Sequence, residues 1–133
     1  MRIPYTTEDL FSVGPQRTYN GEHLKEIAFP LGGIGTGTVS LGGRGELRDW
    51  EIFNRPGKGK IMAYTFVAIY AKPAGEKPIA RVLESRLQPP YVNGHGLSTA
   101  LVSGLPRLEG AKFHGEYPLA HIDFQDGTLP VKV

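Results

Sequence analysis

Cysteine is missing from the 133-residue sequence, which excludes disulfides, thiolate nucleophiles and cysteine-ligated zinc. No apolar stretch approaches the roughly 20 residues needed to cross a bilayer. The opening segment MRIPYTTEDLF has no apolar core of signal-peptide length. A soluble, cytoplasmic protein without a transmembrane segment is therefore expected. An excess of one charge is also lacking. The 15 Lys and Arg and 13 Asp and Glu residues leave a formal net charge of +2 and are spread along the chain, so the basic stripe that nucleic acid would need is absent. The nearest cluster, RPGKGK (55–60), reads as a solvated turn between two strands. Metal-ligand patterns fare no better. His23, His95, His114 and His121 match no helical i, i+4 pair or zinc set, and no acidic spacing fits a calcium loop, so no cofactor is expected. Ser40, Ser85, Ser98 and Ser103 sit in no G-x-S-x-G elbow.

Glycine and proline, in contrast, are plentiful, at 18 and 11 residues. The length suits one domain, and this composition without a collagen period favours a turn-rich, β-rich chain. Residues 1–28 read as an irregular lead-in with a possible helical turn at TTEDLF, where Thr6 and Asp9 have capping-box spacing, and another at GEHLKEIAF, stopped by Pro30. From residue 29 to 133 the signals are β. GTVSL is a short strand. In ELRDWEIF, period two places Leu47, Asp49, Glu51 and Phe53 on one face and Glu46, Arg48, Trp50 and Ile52 on the other. KIMAYTFVAIYA (60–71) is apolar on both faces, as a central strand buried on both sides would be. IARVLES, RLEGAKFHG and YPLAHIDF follow as strands, the last with Ala120, Ile122 and Phe124 on one face. RLQPPYVNGHGLSTALVSGLP reads as a loop and QDGTLP as a turn. VKV opens a strand that stops at Val133, which suggests a truncated sandwich. The expected fold is an all-β, antiparallel β-sandwich.

Seven glycines crowd positions 32–45, directly ahead of Arg48, Asp49, Trp50, Glu51, Asn54 and Arg55. A dinucleotide fingerprint fails: starting from Gly33, the sixth place is Thr38, and starting from Gly35 it is Ser40. A P-loop fails as well, because Gly37 is followed by Thr38. Asp49 and Glu51 at i, i+2 on a strand lie roughly 6.5–7 Å apart along the chain, within the about 5–9.5 Å of glycosidase carboxyl pairs. Two acids on adjacent same-face positions of one strand cannot flank a scissile bond from opposite sides, however. Trp50 is either a stacking platform or a core anchor. His114, Glu116 and Tyr117 form a polar, aromatic corner that either lines a cleft or supports a turn.

The string KEIAFPLGGIGTGTVSLGGRGELRDWEIFNRPGKGK resembles the N-terminal region of glycoside hydrolase family 116, as do YNGEHL before it and MAYTFVAIYAK, FHGEYPLAHIDFQD and LPVKV after it. That family includes bacterial β-glucosidases and non-lysosomal glucosylceramidases. The resemblance implies an N-terminal β-sandwich packed on a larger (α/α)6 catalytic domain that holds the glutamate nucleophile and aspartate acid/base of a retaining mechanism. Neither catalytic carboxylate falls in this sequence. The implied partners are that catalytic domain and, in the full-length enzyme, a β-glucoside. On this view bare backbone at Gly33, Gly35 and Gly37, with Thr36, Thr38, Arg48, Asp49, Trp50, Glu51, Asn54 and Arg55, forms interdomain contacts or edges the sugar cleft. The alternative is a non-catalytic module that binds carbohydrate or another protein.

Overall fold

The computed structural model describes residues 6–12, 17–89 and 104–133. His95, Ser98, Ser103 and most of the predicted loop around them lie outside the described residues. Among the described residues a five-residue helix, α1 (Thr7–Phe11), is followed by nine strands: β1 (Arg17–Asn20), β2 (Ala28–Leu31), β3 (Thr38–Gly42), β4 (Leu47–Glu51), β5 (Ala68–Ala71), β6 (Ile79–Ser85), β7 (Arg107–Leu108), β8 (Gly110–Glu116) and β9 (Leu119–Gln125). A 3₁₀ turn, Gly21–Leu24, lies between β1 and β2. The strands form three three-stranded sheets, ordered β1-β8-β9, β2-β3-β4 and β5-β6-β7. All pairs are antiparallel except β6 with β7, which is parallel. The fold is all-β and sandwich-like.

The first two sheets share the main core. Phe113 and Ala111 of β8 are buried with Leu24 of the 3₁₀ turn, and against them pack Ile122 and Phe124 of β9, Phe29 of β2 and Leu41 of β3. The rings of Phe29 and Phe113 lie 6.0 Å apart at a tilt of 56°, an edge-biased geometry that aromatic quadrupoles favour. The alternation expected in YPLAHIDF holds: Ala120, Ile122 and Phe124 turn inward, while Leu119, His121 and Asp123 face out. IARVLES and GTVSL also form strands, and TTEDLF forms the helical turn.

Four sequence readings are corrected. Part of the segment read as an irregular lead-in is strand β1, paired residue for residue with β8 from Arg17↔Gly115 to Asn20↔Lys112. The helical turn expected in GEHLKEIAF forms but ends at Leu24, ahead of Pro30, which is not its stop and lies inside β2 at the edge of its sheet, a position that tolerates proline. Only Ala68–Ala71 of the 60–71 run is strand, and it too is an edge, with Met62, Tyr64, Phe66, Val67 and Tyr70 exposed. The VKV segment lies outside regular strand, although the Phe124 N–H donates to the Val133 carbonyl at 2.8 Å.

The glycine-rich β3–β4 hairpin joins the layers. At its tip residues 42–44 and 46 are buried and Gly45 is half-buried, and the Ser85 N–H donates to the Arg44 carbonyl at 2.8 Å. Gly45 shows why its side chain is missing: φ is 101°, and a Cβ there would sit 2.4 Å from the Leu83 carbonyl oxygen and 2.8 Å from the Phe124 ring. Beside the tip, buried charges run in alternation. Arg107 Nε donates to Glu84 Oε2 at 2.9 Å, Glu84 Oε2 lies 4.0 Å from Arg44 Nη1, and Arg44 Nη2 lies 3.5 Å from Glu46 Oε1. Arg44 Nη1 also donates to the Ser85 carbonyl at 3.0 Å. Hydrogen bonds and alternating sign are what make buried charge tolerable here.

Candidate functional site

The candidate residues divide at one irregularity in β4. Thr38 pairs with Glu51 but Ser40 with Arg48, so β4 carries one extra residue, a β-bulge. Asp49 takes it up with φ of 53°, in the left-handed region that L-residues avoid. The bulge breaks the expected two-face split, and Arg48 and Asp49 are both buried. Arg48 Nη1 donates to the Lys25 carbonyl at 3.3 Å, and its Nε lies 3.7 Å from Asp49 Oδ2. Asp49 Oδ1 accepts from the Gly59 N–H at 2.6 Å. Trp50 is half-buried, with its indole Nε1 buried and without a hydrogen-bond partner among the described residues.

Glu51 emerges beyond the bulge. Its Oε1 accepts from the Gly57 N–H at 3.2 Å, and its Oε2 meets Lys58 Nζ at 2.8 Å. The Lys58 hydrogen bond, helped by that of Gly57, holds the Glu51 carboxyl below its ordinary value of 4.5. Glu51 in turn raises Lys58 above 10.5. RPGKGK is therefore more than a solvated turn: Asp49 and Glu51 fasten its backbone to β4. The sequence reading missed Lys58, and the signal available was the lysine between two glycines seven residues after an acid. Glu51 is thus not arranged as a glycosidase proton donor, which would require a raised value.

A shallow cleft of about 400 Å³ opens where this strand meets the glycine loop, lined by Gly35, Gly37, Glu51, Asn54, Arg55 and Pro56. Gly37, with φ of 83°, has no room for a Cβ, which would lie 2.9 Å from the Glu51 carbonyl oxygen. Gly33 and Thr36 close the loop on itself: the Gly33 N–H donates to Thr36 Oγ1 at 2.8 Å, and that hydroxyl donates to the Gly33 carbonyl at 2.9 Å. Thr38 begins β3 opposite Glu51. The opposite wall turns through Phe53 and Asn54, both left-handed (φ of 56° and 55°), with the Arg55 N–H donating to the Ile52 carbonyl at 3.3 Å. The cleft thus offers bare backbone, a carboxylate, an amide and a guanidinium. Arg48, Asp49 and Trp50 are not among its lining residues.

His114 belongs to a different place from the predicted corner. It spans the outer face of the first sheet, with Nδ1 3.0 Å from Thr18 Oγ1 and Nε2 2.9 Å from Asp123 Oδ2. Among the described residues no group of three or more His, Asp or Glu side chains is placed to hold a metal ion. No helix among them is long and apolar enough to cross a membrane.

Fold and site together define an all-β module whose two candidate carboxylates are engaged by its own loops. A family model described as beta-glucosidase 2, glycosyl-hydrolase family 116 N-term, matches residues 28–133; the chain belongs to this family, as its N-terminal region. No curated protein matches it.

Proposed function

We propose that residues 29–133 form a supporting module that packs on the catalytic (α/α)6 domain of a retaining β-glucosidase or glucosylceramidase. In this reading the 33–38 and 51–56 segments lie at the junction, beside the substrate cleft. The observation that carries it is the exposure of large apolar side chains around the shallow cleft and along the neighbouring segment: Ile34 is fully exposed, and Phe53 and Tyr64 are each 89% exposed. Phe53 and Tyr64 also occupy left-handed backbone. Such strain costs on the order of 1–3 kcal/mol per residue and persists where function needs it. Projecting aromatic side chains are the usual anchors of an interface.

The test uses a polypeptide in which this chain continues into its catalytic domain. Replacing Phe53 and Tyr64 together by Ser is expected to lower its Tm and β-glucosidase activity. The same pair in the 133-residue chain alone should leave folding stability unchanged or raise it slightly. Equal Tm and activity for the joined variant would remove the proposal. Asn54→Ala and Arg55→Ala distinguish cleft from junction, because a cleft-edge role raises KM without moving Tm.

A further inference from the structure

Among the described residues the three sheets end in six edge strands, and five of these carry a feature that discourages further pairing. β1 opens with the charged Arg17, and β2 contains Pro30. β4 is bulged, and its acids hold the Gly57 and Gly59 amides. β7 has two residues, and on β9 the Phe124 N–H is taken by the Val133 carbonyl. Charge, proline, bulges, shortness and cover are the usual protections of an edge. The sixth edge, β5, has no charge, proline or bulge. Residues 61–71 contain no charged side chain, proline or glycine, and Val67 and Tyr70 are 60% and 67% exposed.

The backbone groups of this edge can be assigned. The Leu83 N–H donates to the Val67 carbonyl at 2.8 Å, while the Val82 N–H turns away from β5, to the Pro106 carbonyl at 2.9 Å. Val67 and Ile69 therefore spend their groups on β6, and Ala68 and Tyr70 direct theirs outward. We infer that this edge pairs with the β5 of a second copy of the chain, antiparallel and about a two-fold axis at Ala68. In that register the two Ala68 residues exchange N–H···O bonds, and Phe66 does so with Tyr70 of the second copy. Ring stands beside ring on one face and Val67 beside Ile69 on the other, the cross-strand matches that stabilise a sheet. Residues equidistant from Ala68 are thus of one kind, which makes the segment its own complement. Charge favours the same arrangement. Antiparallel pairing carries Lys72 of one copy to the far end from Lys72 of the other, whereas parallel pairing would set the two side by side. A two-fold contact also uses both edges and closes the assembly, where an uncharged β-forming run left open would stack without limit. The edge 66–71 offers far fewer than the roughly 20–30 residues a side of a standard interface, so the dimer is weak. The inference is independent of the junction proposed above, because 66–71 lies outside the 33–38 and 51–56 segments.

Sedimentation velocity of the whole chain tests it, with a monomer–dimer equilibrium of Kd about 50 µM expected. Ala68 is exposed, so Ala68→Lys and Ala68→Glu should fold normally. Each sets like charges against one another at the axis and should raise Kd about fivefold. An equimolar mixture of the two variants should dimerise at least as tightly as the unchanged chain, because opposite charges then meet. Hydrogen exchange of the Ala68 and Tyr70 amides, read by NMR, should slow as concentration rises. Should an Ala68 variant fail to fold, that concentration dependence decides. A monomer at millimolar concentration, variants that dimerise unchanged, or a mixture no tighter than either variant alone would each overturn the inference. Protection of Ala68 that is independent of concentration, as cover by the same polypeptide would give, would overturn it as well.

Discussion

Gly45 and Gly35 differ in what an added methyl group would meet, although both have positive φ. At Gly45 the Cβ would run into the Leu83 carbonyl and the Phe124 ring, whereas at Gly35 nothing lies within 4 Å. Gly45→Ala should therefore destabilise the chain by about 2–4 kcal/mol, combining overpacking with backbone strain. Gly35→Ala should cost only about 1 kcal/mol, from strain alone. Urea midpoints of the two variants check the contrast. Ionisable residues carry a second expectation, with opposite signs. Hydrogen bonding by Lys58 and Gly57 lowers the Glu51 carboxyl below 4.5. At Asp126 burial acts upward, but hydrogen bonds from Thr128 and Arg81 outweigh it and hold the carboxyl below 3.8. Both groups contribute stability that is present above those ordinary values and lost as pH falls through the lower folded-state ones. Burial raises Glu46 above 4.5 despite Arg44, so its contribution is present below 4.5 and lost as pH rises through the raised value. Denaturation midpoints measured against pH should show Glu51→Gln flattening the acid limb and Glu46→Gln flattening the opposite one.

Elements differed in how much of them could be read in advance. β9 was legible because a side chain in it faces either the core or water, and period two records that choice. β4 was not, since its extra residue shifts the register between Thr38 and Ser40, and a bulge leaves no mark in an apolar–polar pattern. The four residues of RTYN form β1 only because β8 supplies a ladder, information that lies some ninety positions away. KIMAYTFVAIYA was misread for a related reason: composition says a segment is fit for burial, not that anything covers it. The candidate site was legible as a list and not as a place. Gly35, Gly37, Glu51, Asn54 and Arg55 do line one cleft, while the bulge takes Arg48 and Asp49 inward to hold loops. At this scale Glu84 is the element-joining residue, since it meets Arg107 on β7 and Arg44 at the hairpin tip. Glu84→Ala would take a carboxylate from both Arg107 and Arg44, which keep their other contacts, and should cost about 3 kcal/mol, read as a lowered urea midpoint.

At the scale of the whole molecule, the apolar side chains are divided between a small core and an uncovered surface. Leu24, Val82, Leu108, Ala111 and Phe113 are the buried apolar residues among those described, against exposed Ile34, Phe53, Met62, Tyr64, Phe66, Val67 and Tyr70. Exposed apolar side chains of this kind, Tyr70 among them on the edge strand β5, invite association. Light scattering should show self-association of the isolated chain that declines when Phe53 and Tyr64 become Ser. The alternating charges at positions 107, 84, 44 and 46 have a different consequence, historical in nature. A lineage cannot revise such a series one member at a time, because every single replacement leaves an uncompensated neighbour in the interior. Among relatives of this chain, these four sites should therefore change together, as whole sets exchanged for neutral ones, or not at all.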